Sequence, residues 1–247
     1  MMRQEVDKLN RIIKKQSGQY IRPRDAATLI LLDRQGSEPR ILMGCRHHGS
    51  AFMPNKYVFP GGRISPSDSR VRAASPMDPV TLTKLLHEMK GKPSEARARG
   101  LMMGAIRETF EETGIALGCA NTGGLGSRAP EWRDYYASGL APALDKLRYF
   151  ARAITPPGRT RRFDARFFIA DAADLGCDSS SCISGDGELK DLSWLTIGEA
   201  IDSDIPAITE TILRELEARM QAADWWSPAF PVPFYQFRHN RFVREVI

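Results

Sequence analysis

Three glutamates lie close together in the segment RETFEETGI, residues 107 to 115: Glu108, Glu111 and Glu112. Their spacing predicts a helix on which the carboxylates share an arc of about 100° beside an apolar face. Like charges at this spacing repel by roughly 0.2 to 0.5 kcal/mol per pair, and acids in a last helical turn oppose the helix dipole. The segment therefore indicates either a site for a divalent cation, which would offset the repulsion, or a solvated acidic face.

A hard cation such as Mg²⁺ takes oxygen ligands and keeps several waters. Two or three carboxylates would thus leave room for phosphate oxygens and an attacking water. Arg107 precedes Glu111 by one helical turn, a spacing that allows a salt bridge to orient the glutamate. Gly114 follows the last helical residue, where a left-handed cap is expected.

A second motif, FPGGRISPSD, occupies residues 59 to 68. Its two glycines, Gly61 and Gly62, predict a sharp bend after a strand and permit close packing against another element. Asp68 ends the motif. The stretch that follows contains several prolines and small polar residues, which indicates an inserted lobe.

Together, RETFEETGI and FPGGRISPSD resemble the two halves of the Nudix box, with Asp68 where the family has a glutamate and an insertion at about residues 69 to 99. The resemblance implies an α/β fold. We expect a Nudix-type α/β/α sandwich with a mixed β-sheet, a helical insertion and N- and C-terminal extensions, as one domain over residues 1 to 247.

The resemblance also implies an activity, which is metal-dependent hydrolysis of the diphosphate linkage in a nucleoside diphosphate linked to another moiety, with Mg²⁺ or Mn²⁺ as cofactor. The metal ligands it implies are Glu108, Glu111 and Glu112. Catalytic roles fall to Glu111, Glu112 and Arg107, with Arg107 as orienter. We expect Gly61, Gly62, Arg46 and Arg162 to bind substrate.

The long insertion, FPGG and the downstream RFDARFF are similar to a Nudix subgroup that includes a peroxisomal coenzyme A diphosphatase. Coenzyme A or an acyl-CoA is therefore a candidate substrate. Of the subgroup's coenzyme A signature, Arg46 and FPGG agree, whereas Ala51 and Asn55 stand where an arginine and a glycine are expected.

Three alternatives remain open. A Nudix-like domain could bind a nucleotide as a sensor without cutting it, although three crowded glutamates are not needed for binding alone. The substrate could instead be ADP-ribose or NADH. An RNA-end processing enzyme is disfavoured because no basic groove is evident in the sequence.

Composition sets broader limits. The chain has 247 residues, 42% hydrophobic and 26% charged, with a formal charge of +5, which fits a soluble globular protein with a polyanionic ligand but not one built for duplex nucleic acid. No apolar run is long enough to span a membrane. The four cysteines show no zinc-site spacing, and we expect a cytoplasmic location, with a homodimer left open.

Periodicity predicts the elements that must position these residues. A continuous apolar run at Ala26–Leu32 and another at Arg40–Cys45 predict a hairpin, and the aromatic C-terminal stretch FPVPFYQF is expected to pack on the core. The other predicted strands are Arg162–Ile169 and Leu189–Leu195; the predicted helices are Val6–Lys15, Val80–Met89, Ser94–Thr113, Trp132–Tyr136, Ala141–Leu147 and Pro206–Ala222.

Overall fold

The computed structural model describes residues 2–11, 21–49, 54–175 and 189–247. The helices in this part of the chain are α1 (Met2–Arg11), α2 (Pro79–Leu86), α3 (Glu95–Thr113), α4 (Pro130–Ala137), α5 (Ile197–Asp202) and α6 (Ala207–Arg219). The strands are β1 (Arg24–Asp33), β2 (Arg40–Arg46), β3 (Tyr57–Val58), β4 (Gly61–Arg63), β5 (Gly118–Ala120), β6 (Leu140–Pro142), β7 (Arg148–Ile154), β8 (Phe163–Asp171), β9 (Leu189–Thr196), β10 (Pro233–Arg238) and β11 (Arg241–Val246).

Nine of the described strands form one mixed sheet in the order β11-β10-β7-β8-β1-β2-β3, with β4 paired to β1 and β9 paired to β2. The β1–β8 and β10–β7 pairs are parallel, and the remaining pairs are antiparallel. Strands β5 and β6 form a separate two-stranded sheet. The long register of β1 against β8 places the glycine bend of β4 directly beside the centre of the sheet.

Helices cover both faces of the sheet. Strand β1 alternates, so that Leu29 and Leu31 join the core beneath α2, α3 and α4, whereas Ile30 and Leu32 join the core beneath α1, α5 and α6. All four side chains are fully buried. A strand buried on both faces appears in sequence as a continuous apolar run, which is why β1 was predictable.

Helix α3 carries the acidic segment and is capped at both ends. The Ser94 hydroxyl accepts from the Arg97 N–H, and Gly114 adopts φ 76° while its N–H donates to the Phe110 carbonyl. The predicted left-handed cap is confirmed. Most of the helix is buried because its apolar face packs against the sheet.

One predicted helix is wrong, and one long strand was not predicted. Residues 141 to 147, predicted as a helix, form the end of β6 and a short 3-10 turn at Leu144–Lys146. Strand β7 was not predicted because Arg152 interrupts its apolar run, yet Arg152 is buried in an ion pair with Asp164.

The aromatic C-terminal stretch does pack on the core, but as strand β10 of a hairpin. Prolines disfavour a strand interior, and Pro233 is tolerated because it is the first residue of β10. The predicted helix Val6–Lys15 is observed as α1 up to Arg11, and its remainder lies outside the described residues. Among the described helices, none is both long and apolar enough to cross a membrane.

Candidate active site

The three glutamates lie on the last two turns of α3, beside the bend formed by Gly61 and Gly62, here called the glycine bend. Glu112 is buried and its Oε2 accepts a hydrogen bond from the Gly61 N–H at 2.7 Å. The side chain of Glu108 is 17% exposed and that of Glu111 is 38% exposed. Burial therefore decreases from Glu112 through Glu108 to Glu111, and the Glu111 side chain is the most accessible to solvent.

The two glycines serve different contacts. Gly61 has φ +154°, and a Cβ there would lie 2.5 Å from the Ala27 carbonyl oxygen of β1. A Cβ on Gly62 would lie 2.3 Å from Oε2 of Glu108. Gly61 therefore lets the bend pack on the sheet, whereas Gly62 lets it approach an acidic side chain of α3.

Arg107 is the cation at the centre of the cluster. Its guanidinium donates to Asp68 Oδ1 through Nε at 2.9 Å, to Glu111 Oε2 through Nη1 at 2.7 Å and to the Arg63 carbonyl through Nη2 at 2.9 Å. Nη2 also lies 3.0 Å from Glu108 Oε1. Arg107 is buried, so it joins the glycine bend, the Asp68 loop and two glutamates. The predicted contact with Glu111 is present.

Asp68 is fully buried and faces Arg107 rather than the glutamates' exposed side. Its Oδ1 also accepts from the Trp132 indole N–H at 2.9 Å, and its Oδ2 accepts from the Ser65 N–H at 2.8 Å. Each carboxylate oxygen therefore already has protein donors. Asp68 is a residue that holds Arg107 in place.

The acidic cluster at the end of α3 has more negative than positive groups. The pKa of Glu108 is raised to about 7, mainly by burial and also by the nearby charges of Glu111 and Asp68, against the opposing effect of Arg107. Burial also raises the pKa of Glu111. Four carboxylates share the cluster with one guanidinium, so negative charge exceeds positive charge in a partly desolvated place.

The donor set fits a hard divalent cation in its chemistry, since carboxylate oxygens are the ligands that Mg²⁺ and Mn²⁺ prefer. A cation would also offset the excess of carboxylates over guanidinium groups in this cluster. Over the described ranges, however, no three His, Cys, Asp or Glu side chains already converge as a ready metal site. Glu108 and Glu111 bond to Arg107 instead.

The other two residues predicted to bind substrate lie elsewhere. Arg46 ends β2, where its backbone pairs with Lys56 and Asn55, and its side chain is half-buried. Arg162 is buried, donates to the Thr155 and Ile21 carbonyls, and lines a cleft of about 1230 Å³.

Sequence reasoning missed helix α4 as part of this site. Besides the Trp132 contact with Asp68, the Glu131 carboxylate accepts from the hydroxyls of Ser65 at 2.7 Å and Ser67 at 2.6 Å. These hydrogen bonds hold the pKa of Glu131 low, at about 2. No motif marks residues 131 and 132, because their role depends on a loop more than sixty positions away.

A curated protein is similar to this chain in sequence. A Caenorhabditis elegans protein named "Putative nudix hydrolase 7" is 26% identical over 217 residues, which are 82% of this chain and 62% of that protein. The chain thus spans less than two thirds of the length of this curated relative. No protein-family model matches the chain.

Among solved structures, the chain is similar to a NUDIX hydrolase from Alicyclobacillus acidocaldarius, with a TM-score of 0.60 and 26% identity. The match covers 81% of this chain and 96% of that one. The α/β architecture with its mixed sheet is the Nudix fold, as the resemblance implied. In sequence and in fold, the chain is thus similar to proteins named as Nudix hydrolases.

Proposed function

We propose that this chain is a metal-dependent hydrolase that cleaves the diphosphate linkage of a nucleoside diphosphate linked to another moiety. The observation that carries the proposal is the packing of Glu108 and Glu112 against the glycine bend, with Arg107 joining the bend to Glu108 and Glu111. A solvated acidic face would leave such carboxylates pointing into water.

The residues that would hold Mg²⁺ or Mn²⁺ are Glu108, Glu111 and Glu112. When bound, the ion supplies charge neutralisation at the phosphate oxygens and lowers the pKa of water. Glu112 fixes the glycine bend on α3 through the Gly61 N–H. Arg107 fixes the direction of Glu111 through its hydrogen bond at 2.7 Å.

Glu111 is the residue we propose as the base that takes a proton from the attacking water. It is the most exposed of the three glutamates, and Arg107 contacts its Oε2. Burial raises the pKa of its carboxyl group, and a base is most effective when its pKa approaches the working pH. Glu112, by contrast, is buried and already accepts a backbone N–H.

Substrate identity is tested with a panel of coenzyme A, an acyl-CoA, ADP-ribose, NADH and diadenosine polyphosphates, each incubated with Mg²⁺ or Mn²⁺ and followed by product analysis. Coenzyme A and acyl-CoA rest on the resemblance in residues 59 to 62 and 162 to 168. We expect one class to be cut into two phosphate-terminated products. Survival of every compound with both metals would favour a nucleotide sensor and reject hydrolysis.

The site assignment is tested with Glu111→Gln and Glu112→Gln, and with Glu95→Gln as a control on the same helix. Glu95 is exposed in the first turn of α3, far along the helix from the cluster. Loss of a general base typically costs about 10² to 10⁴ in rate. We expect a loss of that size in Glu111→Gln, a loss in Glu112→Gln because a proposed metal ligand is changed, and none in the control. Full activity in both cluster variants would show that the site lies elsewhere.

A further inference from the structure

A second feature of the molecule is the cleft of about 1230 Å³ that Arg162 lines. It lies between the start of β1, the loop after β4, the start of α3 and the last residues of the insertion. The insertion supplies one wall of the cleft, which contains Lys90, Gly91 and Ser94. The cleft therefore has this form only because the insertion separates the two halves of the motif that resembles the Nudix box.

The cleft lining is strongly basic. Six cations line the cleft against two acids, Asp25 and Asp164. The cations are Arg22, Arg24, Arg63, Lys90, Arg97 and Arg162.

The two acids are already paired with arginines. Asp25 contacts Arg97 and Arg166, and Asp164 contacts Arg152 and Arg166. Arg152 and Arg166 are fully buried. The two acids are thus compensated by Arg97 in the lining and by two buried arginines, and they do not compensate the exposed cations at the rim of the cleft.

Four rim cations, Arg22, Arg24, Arg63 and Lys90, have exposed side chains. Within the residues that the structure describes, none of their side chains makes a salt bridge or a hydrogen bond. Clustered cations of this kind repel one another in a cleft and attract anions to it. The ligand that such a surface fits is a group with two or more negative charges.

The cleft is connected to the acidic cluster through one loop. Arg63 follows the glycine bend, and its carbonyl accepts from Arg107 at 2.9 Å. Along α3, Gly100 at the cleft and Glu108 at the cluster are eight residues apart, or about 12 Å at the rise of an α-helix. A single extended ligand can therefore reach both places.

We propose that the basic cleft binds a phosphate monoester that the substrate carries away from the diphosphate linkage. The proposal rests on the proposed function for the position of the scissile linkage, but the binding itself needs no hydrolysis. Guanidinium groups bind phosphate through paired, charge-assisted hydrogen bonds, and Lys90 adds a compact charge from the insertion. The insertion thereby selects substrates that have this extra phosphate.

Binding is measured by calorimetry in EDTA with adenosine 3′,5′-bisphosphate and adenosine 5′-monophosphate, which differ by one phosphate monoester. We compare the wild-type chain with Arg24→Gln/Lys90→Gln in the cleft. The matched control is Lys92→Gln/Arg133→Gln, which removes two exposed charges outside the cleft lining. None of these residues belongs to the acidic cluster.

We expect the wild type to prefer the bisphosphate by about tenfold, since a charge-assisted hydrogen bond contributes enough for such a ratio. The preference should fall to about twofold or less in the cleft variant and persist in the control. An unchanged preference in the cleft variant would overturn the proposal. Displacement of the bisphosphate by inorganic phosphate at equal concentration would also overturn it, because the site would then bind free phosphate.

A hydrolysis assay distinguishes failure of this proposal from failure of the proposed function. Coenzyme A and its 3′-dephospho form, and NADPH and NADH, are pairs that differ by one phosphate monoester. If the chain cuts them, the cleft variant should lose the preference in kcat/KM for the phosphorylated member while keeping its rate on the other. A chain that binds the bisphosphate preferentially but cuts nothing contradicts the proposed function, whereas one that cuts both members equally contradicts the cleft proposal.

Discussion

Gly62 lies so close to Glu108 that a Cβ at residue 62 would be 2.3 Å from the carboxylate Oε2. At neighbouring Gly61 the same atom would meet backbone of β1, 2.5 Å from the Ala27 carbonyl oxygen and 2.6 Å from the Thr28 Cα. A carboxylate can turn away, but a strand in the middle of a sheet cannot. Two adjacent glycines of one motif therefore have different physical requirements.

This difference predicts that alanine at residue 61 mainly lowers stability, whereas alanine at residue 62 mainly lowers turnover. Gly61→Ala should destabilise the fold by about 2 to 4 kcal/mol, from overpacking against β1 and from its φ of +154°. Gly62→Ala should cost less than about 1 kcal/mol but reduce turnover roughly 10- to 100-fold, because Glu108 must leave its position. Urea unfolding and initial rates measure the two effects. A Gly62→Ala protein with normal turnover would contradict a role for the Glu108 position.

The Trp132 indole should stabilise the cluster through Asp68. Trp132→Phe keeps an aromatic ring in the core but removes the N–H that Asp68 Oδ1 accepts at 2.9 Å. Because Asp68 is fully buried, the lost charge-assisted hydrogen bond should cost about 1.5 to 3 kcal/mol in the free energy of unfolding. The control is Tyr136→Phe on the same helix, whose hydroxyl bonds the Arg72 carbonyl at the surface.

We expect the Tyr136 control to cost less than about 1 kcal/mol, since water can replace its partner. Equal losses in the two variants would show that Asp68 does not depend on the indole. A Trp132→Phe protein should also lose turnover if Asp68 positions Arg107, and the loss should appear in kcat rather than KM.

The acidic segment was predictable because its signals are local. Helix α3, its Gly114 cap, the buried face and the Arg107–Glu111 contact all follow from spacings within one helix. The glycine bend was predictable for the same reason, although only the structure shows that Gly62 meets Glu108. Short-range geometry on a helix is set by the chain itself.

Contacts between distant segments were not predictable. Asp68 and Trp132 are sixty-four positions apart, and nothing in either segment specifies the other. Strand β7 was missed because Arg152 looks like a surface residue in sequence, whereas the fold buries it with Asp164 and over the Phe234 ring. A buried charge is tolerated only with a partner, and a single sequence does not identify that partner.

The low pKa of Glu131 predicts a pH-dependent contribution to stability. The Ser67 and Ser65 hydroxyls, which donate to this carboxylate, hold its pKa at about 2. A carboxyl whose folded pKa is depressed contributes stability above its unfolded pKa, and this contribution is lost as pH falls toward the folded value. Wild type should therefore lose more stability than Ser65→Ala/Ser67→Ala between about pH 4.5 and 2.

Chemical denaturation at several pH values measures this difference, and NMR titration of the Glu131 carboxyl measures its cause. Ser138→Ala is a control at the end of the same helix, because the Ser138 hydroxyl bonds the Tyr135 carbonyl and no acid. Parallel stability curves for wild type and the double variant would show that the serines do not set the pKa of Glu131.

Lys84 should hold the insertion in place. Its ammonium donates to the Pro228 carbonyl at 2.9 Å and the Phe230 carbonyl at 2.6 Å, which joins α2 to the segment before β10. Lys84→Met keeps the aliphatic stem but removes both donors, so it should cost about 1 to 3 kcal/mol and speed amide exchange in residues 79–86. Lys92→Met, an exposed change in the same insertion, should do neither.

The Lys84 variant also tests whether the insertion must be held firmly to shape the basic cleft. Lys90 and Gly91 lie shortly after the end of α2 at Leu86, and the Lys90 carbonyl accepts from Arg97 of α3. If loosening α2 moves this wall, Lys84→Met should reduce the preference for a bisphosphate without changing any cation of the cleft lining. An intact preference, together with faster exchange in α2, would mean that the contacts of residues 87–90 with Arg97, Arg152 and Arg238 fix the wall and that α2 serves only stability.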